Sequence, residues 1–398
     1  MKLVSWLLKL LWFFLKIIFG ILILWAAFQY LCAPVYDFPQ KKKFAGDKIY
    51  NPYGKCDSLA WKKAVFHIHS ISWGGVTNGA SSEQQIFDRY KYLGYDIVAL
   101  SDYQKINTAK YPLQQELIAN YEHGFGMKKN HHINIGAKSV LPFDFMFPQT
   151  LSNKQFIINL LRSRTELLAL AHPDWNSAVL PADVKQLCNY DFIEALNNNH
   201  NSINLWDTAL SAGAPVFLIS DDDGHDINNP NVVGRCLTLV NTLLTNKESV
   251  ISALKAGKSI GVAVASKENE SFEAKKAIIS KLPVLRYLKL SGDTIQIAVS
   301  DTSAKIQFIG QNGLVVGSKQ KTLQAAYLFK KNDTYIRTVI TFQNGTVYYL
   351  NPFIRFNGLA FTEYHPSVNM LWTGLKNGLF LIIIIAFGSA YIRRRRRK

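Results

Sequence analysis

The chain has 398 residues, 48% of them hydrophobic and 18% charged, with a net charge of +17. This length exceeds one ordinary domain and this composition excludes a disordered chain, so we expect two domains with membrane segments. Much of the positive charge lies at residues 41–43 and 393–398, and no motif that combines aromatic and basic residues indicates a nucleic acid partner. The four cysteines include no C-x-x-C pair, so they predict neither a zinc knuckle nor a disulfide framework.

Residues 3–31 form the first predicted element, an apolar run that is interrupted by Lys9 and Lys16. The run exceeds the roughly 20 residues that a helix needs to span a bilayer. No small-x-small cleavage site is placed cleanly at its end. We therefore predict a transmembrane helix or an uncleaved signal anchor.

Strand-like and helix-like segments alternate over residues 60–265. The strand-like runs are 64–66, 96–100, 167–171, 191–195 and 216–219. The helix-like runs are 83–93, 153–164, 202–212 and 248–256. Such alternation is typical of a mostly parallel sheet, either open or closed into a barrel.

Residues 286–358 have a different pattern, in which short β-rich runs are separated by turn signals. Gly-Asp at 292–293 and Asn-Gly at 312–313 and 344–345 lie between these runs. The pattern predicts a small β-sandwich.

A second apolar segment, residues 370–392, is predicted to be another transmembrane helix, and a basic tail at 393–398 follows it. The positive-inside rule keeps this tail in the cytoplasm. Both termini would then lie inside, and the part between the spans would lie on the outer, periplasmic side of the cytoplasmic membrane. The lysines at 41–43 argue for the opposite orientation but are outweighed by the six terminal charges.

Histidines and carboxylates recur along this part of the chain, mostly at the ends of the predicted strands. His67 and His69 follow the first strand, where alternation sends both imidazoles to one face about 7 Å apart, a spacing that suits one metal ion. Further residues of this kind are Asp102, Glu122, His131, His132, His172, Asp222, Asp223 and His225. Each alone has an ordinary structural explanation, but their order along the chain indicates a metal site at one end of the sheet.

In this order the segments 65–70, 96–103, 169–173 and 220–225 resemble the motifs of the PHP (polymerase and histidinol phosphatase) family of metal-dependent hydrolases. The helix-like run 250–257 is similar to a helix that commonly follows them. The resemblance implies a distorted (β/α)7 barrel over residues 60–265. It also implies divalent metal ions, often zinc, manganese or iron, at the C-terminal mouth and hydrolysis of phosphate esters or related bonds.

The resemblance also implies a metal ligand set. The first ion would be bound by His67, His69, Glu122 and Asp223. Glu122 would bridge to a second ion, completed by His172 and by His131 or His132, of which we prefer His131. The family's third site has lost two ligands, because residues 73–75 and Tyr103 stand where an Asp and a His are usual. Two ions are therefore expected.

Three further residues are expected to assist the reaction. His225 would protonate the leaving group, with Asp222 or Asp102 as its orienting partner. Glu194 and Asn197 would either support the metal ligands from behind or have a structural role.

The leading hypothesis is thus a membrane-anchored hydrolase that uses a metal-activated water on a small-molecule or lipid-linked phosphoester. An alternative is a catalytically inactive barrel that binds or scaffolds an envelope partner. Carbamates, amides and carboxylic esters remain open as substrates, because the same activated water serves them.

Overall fold

The computed structural model describes residues 2–198 and 200–396 and has a mixed α/β architecture. The α-helices within these residues are α1 (Lys2–Cys32), α2 (Glu83–Leu93), α3 (Leu151–Arg162), α4 (Pro181–Val184), α5 (Ile203–Ala212), α6 (Lys247–Lys255), α7 (Phe272–Ser280) and α8 (Met370–Arg396). The first nine strands are β1 (Tyr36–Asp37), β2 (Lys48–Tyr50), β3 (Trp61–Val65), β4 (Ile97–Val98), β5 (Asn120–His123), β6 (His131–Ile135), β7 (Leu167–Ala171), β8 (Phe192–Asn197) and β9 (Phe217–Asp221). The later strands are β10 (Cys236–Asn241), β11 (Ser259–Ala263), β12 (Leu285–Ser291), β13 (Thr294–Ile309), β14 (Val315–Leu328), β15 (Tyr335–Phe342), β16 (Val347–Leu350), β17 (Phe353–Phe356) and β18 (Ser367–Val368).

Local sequence explains where α2 and α3 begin and end. The Ser82 hydroxyl accepts a hydrogen bond from the Gln85 amide, and the Gln85 side chain accepts one from the Ser82 amide. Thr150 and Asn153 form the same capping box at α3. Gly94 ends α2 with φ +82°, a conformation that glycine adopts without a steric penalty.

The strands form two large mixed sheets. The first has the order β12-β13-β15-β16-β11-β10-β3-β4, with β14, β17 and β2 attached, and the second has the order β5-β6-β7-β8-β9. Parallel pairs join β3 to β4, β7 to β8 and β8 to β9, whereas β5–β6, β6–β7 and β10–β11 are antiparallel. The prediction of a mostly parallel sheet is wrong, because the β5–β6 connection is a hairpin too short for the crossover that parallel strands need.

No closed barrel is found among the residues that the structure describes, so the predicted (β/α)7 barrel is not confirmed. The two sheets meet instead at isolated parallel bridges, Ile68 with Gly224 and Tyr103 with Glu122. These bridges bring the ends of β3, β4, β5 and β9 together at one place.

The strands of residues 286–358 extend the first sheet. β16 pairs with β11 over Val347–Leu350 and with β15 on its other side. This pairing satisfies the edge of β11, which would otherwise present unpaired amides and carbonyls. The predicted separate β-sandwich is therefore not confirmed.

Two buried apolar clusters cover the sheets. One packs the β5–β9 sheet against α3, α5 and α6, with Phe66 and Trp206 among its largest members. The other packs the first sheet against α2 and α7, with Tyr90 and Tyr348 fully buried. The strands that carry the candidate ligands are thus held rigidly from both faces.

Helices α1 and α8 contain segments, Val4–Cys32 and Met370–Arg394, that are long and apolar enough to cross a membrane by length and composition. Most of their side chains are exposed. Their orientation across a membrane stays a prediction. The predicted basic tail at 393–398 lies partly outside the described residues.

The two long helices are joined where they meet the rest of the chain. β1 pairs with β18 in antiparallel register, and the Val35 amide donates to Thr373 Oγ1 at 2.9 Å. The Lys376 ammonium donates to the carbonyl of Tyr30 at 2.7 Å and to that of Ala33. The end of α1 and the beginning of α8 are therefore held next to each other.

Candidate metal centre

Side chains that could bind a metal converge where strands of both sheets end. They follow β3, lie in or at the start of β5 and β6, and follow β7 and β9. The residues at these positions are His67, His69, Glu122, His131, His172, Asp223 and His225. All are buried except His225, which is partly exposed.

The carboxylate of Glu122 lies between two pairs of imidazoles. Its Oε1 is 2.6 Å from His131 Nδ1 and 3.2 Å from His172 Nε2. Its Oε2 is 3.2 Å from His69 Nε2 and 3.4 Å from His67 Nε2. Each oxygen therefore faces its own pair of nitrogens, which is the arrangement of a carboxylate that bridges two metal ions.

Asp223 contacts both pairs from the other side. Its Oδ1 lies 3.1 Å from His67 Nε2 and 3.3 Å from His69 Nε2, and its Oδ2 lies 3.9 Å from His172 Nε2. The strand β9 ends two residues earlier, so the backbone of Asp223 is fixed by the sheet.

Several of these buried atoms have no hydrogen-bond partner although they lie close together. They are His67 Nε2, His69 Nε2, Glu122 Oε2 and Asp223 Oδ1. An unsatisfied buried polar atom costs about 1–3 kcal/mol, so such a group needs an explanation. A divalent cation would satisfy all four atoms at once, because imidazole nitrogen and carboxylate oxygen are its ligands. The residues present therefore fit a metal ion.

Among the residues that the structure describes, four sets of three residues each offer ligand atoms that lie within 4.8 Å of one another. The sets are His67, His69 and Glu122; Glu122, His131 and His172; His69, Asp223 and His225; and His67, His172 and Glu194. The first two sets lie within the two groups of ligands that the family resemblance implies, and Glu122 belongs to both.

Glu194 supports two of the ligands from behind. Its Oε1 accepts a hydrogen bond from His67 Nδ1 at 2.9 Å, and its Oε2 accepts one from the His172 amide at 2.7 Å. The side-chain amide nitrogen of Asn197, Nδ2, donates to Asp223 Oδ2 at 3.3 Å. Such partners fix the tautomer and orientation of a metal-binding imidazole.

Charge interactions inside the cluster favour its ionised forms. Burial acts to lower the pKa of His67, but Asp223, Glu194 and Glu122 outweigh burial and raise this pKa well above its usual range. Burial acts to raise the pKa of Glu122, but His131 and His67 hold it well below its usual range. The ionised carboxylates are therefore stabilised by positive charge nearby. A metal ion would supply this charge in place of the protons on the imidazoles.

Two candidate ligands have left-handed backbone conformations. His172 has φ +28° and Asp223 has φ +49°. Such conformations cost about 1–3 kcal/mol for residues other than glycine and concentrate at functional sites. The fold tolerates this strain at two side chains that point into the same cluster.

Tyr103 occupies a position at which the family resemblance leads us to expect a histidine. Its ring stacks on His69 with 4.4 Å between centroids, and its hydroxyl lies 3.3 Å from His225 Nε2. The Trp73 indole donates to the Tyr103 carbonyl at 2.7 Å and holds this segment in place. Burial and the lowering effect of His69 bring the pKa of His225 to about 4, against the opposing charge of Asp223.

The two aspartates predicted to orient His225 have other partners. Asp102 accepts hydrogen bonds from the Ser70 amide at 2.7 Å and from Asn107 Nδ2 at 2.8 Å. Asp222 accepts from Tyr90 and from three backbone amides, those of Gly234, Arg235 and Cys236. His225 itself contacts Tyr103 and Asp223. The roles predicted for Asp102 and Asp222 therefore have no support in these contacts, since both carboxylates hold loops together.

The strand β6 separates the two neighbouring histidines. His131 faces Glu122, whereas His132 points to the opposite side and lies 5.9 Å from the ring of His123. His123 is fully buried, and its Nε2 is 2.8 Å from the Phe143 carbonyl. The polar tetrapeptide of β5 lacks the apolar alternation of a strand, so its burial could not be predicted.

No model of a protein family and no curated protein matches this chain. One similar solved structure is the crystal structure of a two-domain protein from Bacteroides vulgatus that contains a predicted PHP-like metal-dependent phosphoesterase. It is 12% identical, the match covers 83% of this chain and all of that one, and the TM-score is 0.39. A likeness this low does not establish a common fold, so the metal centre is inferred from side-chain geometry alone.

Proposed function

We propose that this protein is a membrane-anchored, metal-dependent hydrolase of the PHP type that acts on phosphoesters. The observation that carries the proposal is the position of Glu122, whose two oxygens each face a separate pair of imidazoles. A dinuclear site of this kind suits the hydrolysis of a phosphate ester, because two ions can stabilise the attacking and the leaving oxygen.

The bound ions would supply Lewis acidity and an activated water. The chain's own residues would hold them: His67, His69 and Asp223 at one position, His131 and His172 at the other, with Glu122 shared. In the reaction the water oxygen bonds to phosphorus, the ester P–O bond breaks, and the alcohol leaves with a proton. His225 is the partly exposed group beside the cluster, and its low pKa leaves it neutral near pH 7. We therefore assign it the relay of the proton that the attacking water releases to the leaving alcohol.

The proposed membrane anchors are α1 and α8. Both would cross the cytoplasmic membrane, with the basic tail inside and the domain outside. Reporter fusions placed between the two helices should be active only on the outer side. Reporter activity only in the cytoplasm would show that the topology is the opposite one. It would leave the proposal for the metal centre unaffected.

The first test is metal content of the purified full chain by elemental mass spectrometry. We expect about two equivalents of zinc, manganese or iron, and their loss in the double variant His67→Ala, His69→Ala. The matched control is His365→Ala, since His365 is exposed and its Nε2 lies 3.4 Å from Glu363 Oε2, an exposed residue. Hydrolysis of p-nitrophenyl phosphate and bis-p-nitrophenyl phosphate is then measured on the same samples.

Two outcomes would change the proposal. The absence of bound metal under metal-replete conditions would overturn it. Bound metal without hydrolysis of either ester or of carboxylic ester and amide substrates would favour the alternative, a binding or scaffold module.

A further inference from the structure

The loop between β5 and β6, residues 124–130, joins two strands that each carry a candidate ligand. Glu122 lies in β5 and His131 begins β6. Gly124 has φ +134°, and a side chain at this position would collide with the His131 ring. The loop is therefore in direct contact with the metal centre and cannot shift without moving His131.

The same loop packs on the helix α1. The Phe125 ring stacks on Trp25 with 6.5 Å between centroids and an interplanar angle of 16°. Beside it, the Phe145 ring lies 5.0 Å from Tyr30, and the Met146 amide donates to Gln29 Oε1 at 3.4 Å. The loop is thus attached to the last turns of the predicted anchor.

The length of α1 places this contact near a bilayer surface. The helix of 31 residues is about 46 Å long at 1.5 Å per residue, whereas the hydrocarbon core is about 30 Å thick. The part of the helix that exceeds the hydrocarbon core is the end nearer the domain, where Ala26 and Gln29 are buried against protein. Trp25 precedes these residues and so falls at the boundary, where tryptophan is enriched.

The surface around this contact is apolar and basic. Phe125 and Met127 are exposed, Met127 by 66% of its side chain. The Met127 amide donates to the Met146 carbonyl at 2.9 Å, which places exposed Phe147 beside them. Lys128 comes next in the loop. Exposed apolar side chains next to lysines are typical of elements that lie in a membrane interface and attract anionic headgroups.

Lys129 links this surface to the metal centre. Its backbone has φ +58°, and its ammonium lies 5.8 Å from the centroid of the Trp175 ring. Trp175 in turn packs on the ring of His172, with 4.9 Å between centroids. The ammonium is therefore one aromatic ring away from a candidate ligand, at the rim of the cluster.

We infer that the loop 124–130 lies on the membrane surface and presents the phosphate of a membrane phospholipid to the metal centre, with Lys129 binding that phosphate. The inference rests on the proposed function and names its substrate class, a lipid phosphoester. One loop contacts α1 at Trp25, exposes apolar side chains beside it and ends at the candidate ligand His131.

The test compares two substrates with the full chain in detergent-free vesicles. One substrate is phosphatidic acid in phosphatidylcholine vesicles and the other is soluble p-nitrophenyl phosphate. The double variant Phe125→Ser, Met127→Ser should lower the ratio of vesicle to soluble rate by about tenfold, because two apolar side chains lose their place in the interface. The control Leu59→Ser changes an even more exposed apolar residue at the opposite end of β3 from His67 and should leave the ratio unchanged.

A second variant tests the phosphate contact. Lys129→Ala should raise KM by about tenfold for both substrates with little change in kcat, because a charge-assisted hydrogen bond to the phosphate is lost. Lys319→Ala, which removes an exposed lysine from β14, is the control. An unchanged KM for Lys129→Ala would overturn this part of the inference.

Photocrosslinking gives an answer that does not depend on activity. A phosphatidic acid with a photoreactive group near its phosphate is placed in lipid nanodiscs with the protein, and adducts are located by mass spectrometry. Adducts within residues 124–130 support the inference, and adducts restricted to α1 and α8 overturn it. Wild-type hydrolysis of the soluble ester alone would also overturn it while leaving the proposed function intact, whereas hydrolysis of neither substrate would count against the proposed function.

Discussion

His67 Nδ1 donates a hydrogen bond of 2.9 Å to Glu194 Oε1, and this bond turns the opposite nitrogen of His67 toward Glu122 and Asp223. With the proton held at Nδ1, Nε2 keeps its lone pair for a metal ion. Glu194→Gln should therefore lower metal affinity by about 10- to 100-fold. Competition with a chelator measures this, and Glu268→Gln, an exposed site, is the control. Equal affinities in the two variants would contradict the orienting role.

Glu122→Gln tests the shared carboxylate. Because both candidate positions use Glu122, the variant should lose metal from both, and hydrolysis should fall with it. Elemental mass spectrometry measures the loss. Loss of one equivalent only, with the other bound as tightly as before, would show that Glu122 serves a single ion.

Gly124→Ala tests the contact between the loop 124–130 and His131. The new methyl group would displace the His131 ring, so we expect loss of the second ion while the first remains. Gly292→Ala is the matched control, because Gly292 also has a positive φ of +56° but open space around it. It therefore tests a positive φ, although a smaller one than that of Gly124, without the collision. Equal metal content in both variants would mean that His131 is not a ligand.

Asp222→Ala separates a structural from a catalytic role for this residue. The variant leaves three buried backbone amides without an acceptor, which at about 1–3 kcal/mol each should lower the free energy of unfolding by about 3 kcal/mol or more. Asp226→Ala, at an exposed site, is the control. Thermal or chemical denaturation measures the difference. A fully stable variant with reduced activity would instead support the orienting role that the sequence suggested.

Removal of metal should destabilise the fold. An ion present at 100 times its dissociation constant contributes about 2.7 kcal/mol if it binds only the folded state. Treatment with a chelator should therefore lower Tm by several degrees, and readdition should restore it. An unchanged Tm would mean that the buried nitrogen and oxygen atoms are satisfied in another way.

The sequence predicted the parts of the site that periodicity and motif order control. The helix predicted at 83–93 coincides with α2, and the strand predicted at 216–219 overlaps β9. The grouping of His67 and His172 follows from their positions at the ends of predicted strands, whereas Glu122 joins them only through the family resemblance.

What could not be predicted depends on contacts between distant segments. The partners of Asp102 and Asp222 are backbone amides and small polar side chains, which carry no sequence signal. In the sequence, Tyr103 indicates only that a histidine ligand usual in the family is missing. In the structure its ring stacks on that of His69. The pairing of β11 with β16 depends on a sheet edge that exists only in the folded chain.

The pairing of β1 with β18 also has a consequence for the order in which the molecule can be completed. Tyr36 pairs with Val368, and Ile49 of β2 pairs with Arg355 of β17. During synthesis the first segments to emerge must therefore wait for almost the last, because their partners do not yet exist. Such long-range closure is entropically costly and slow. A ribosome-bound chain that ends before residue 353 should keep its N-terminal segment accessible to protease. The pairings of β1 with β18 and of β2 with β17 should form only after the chain is released.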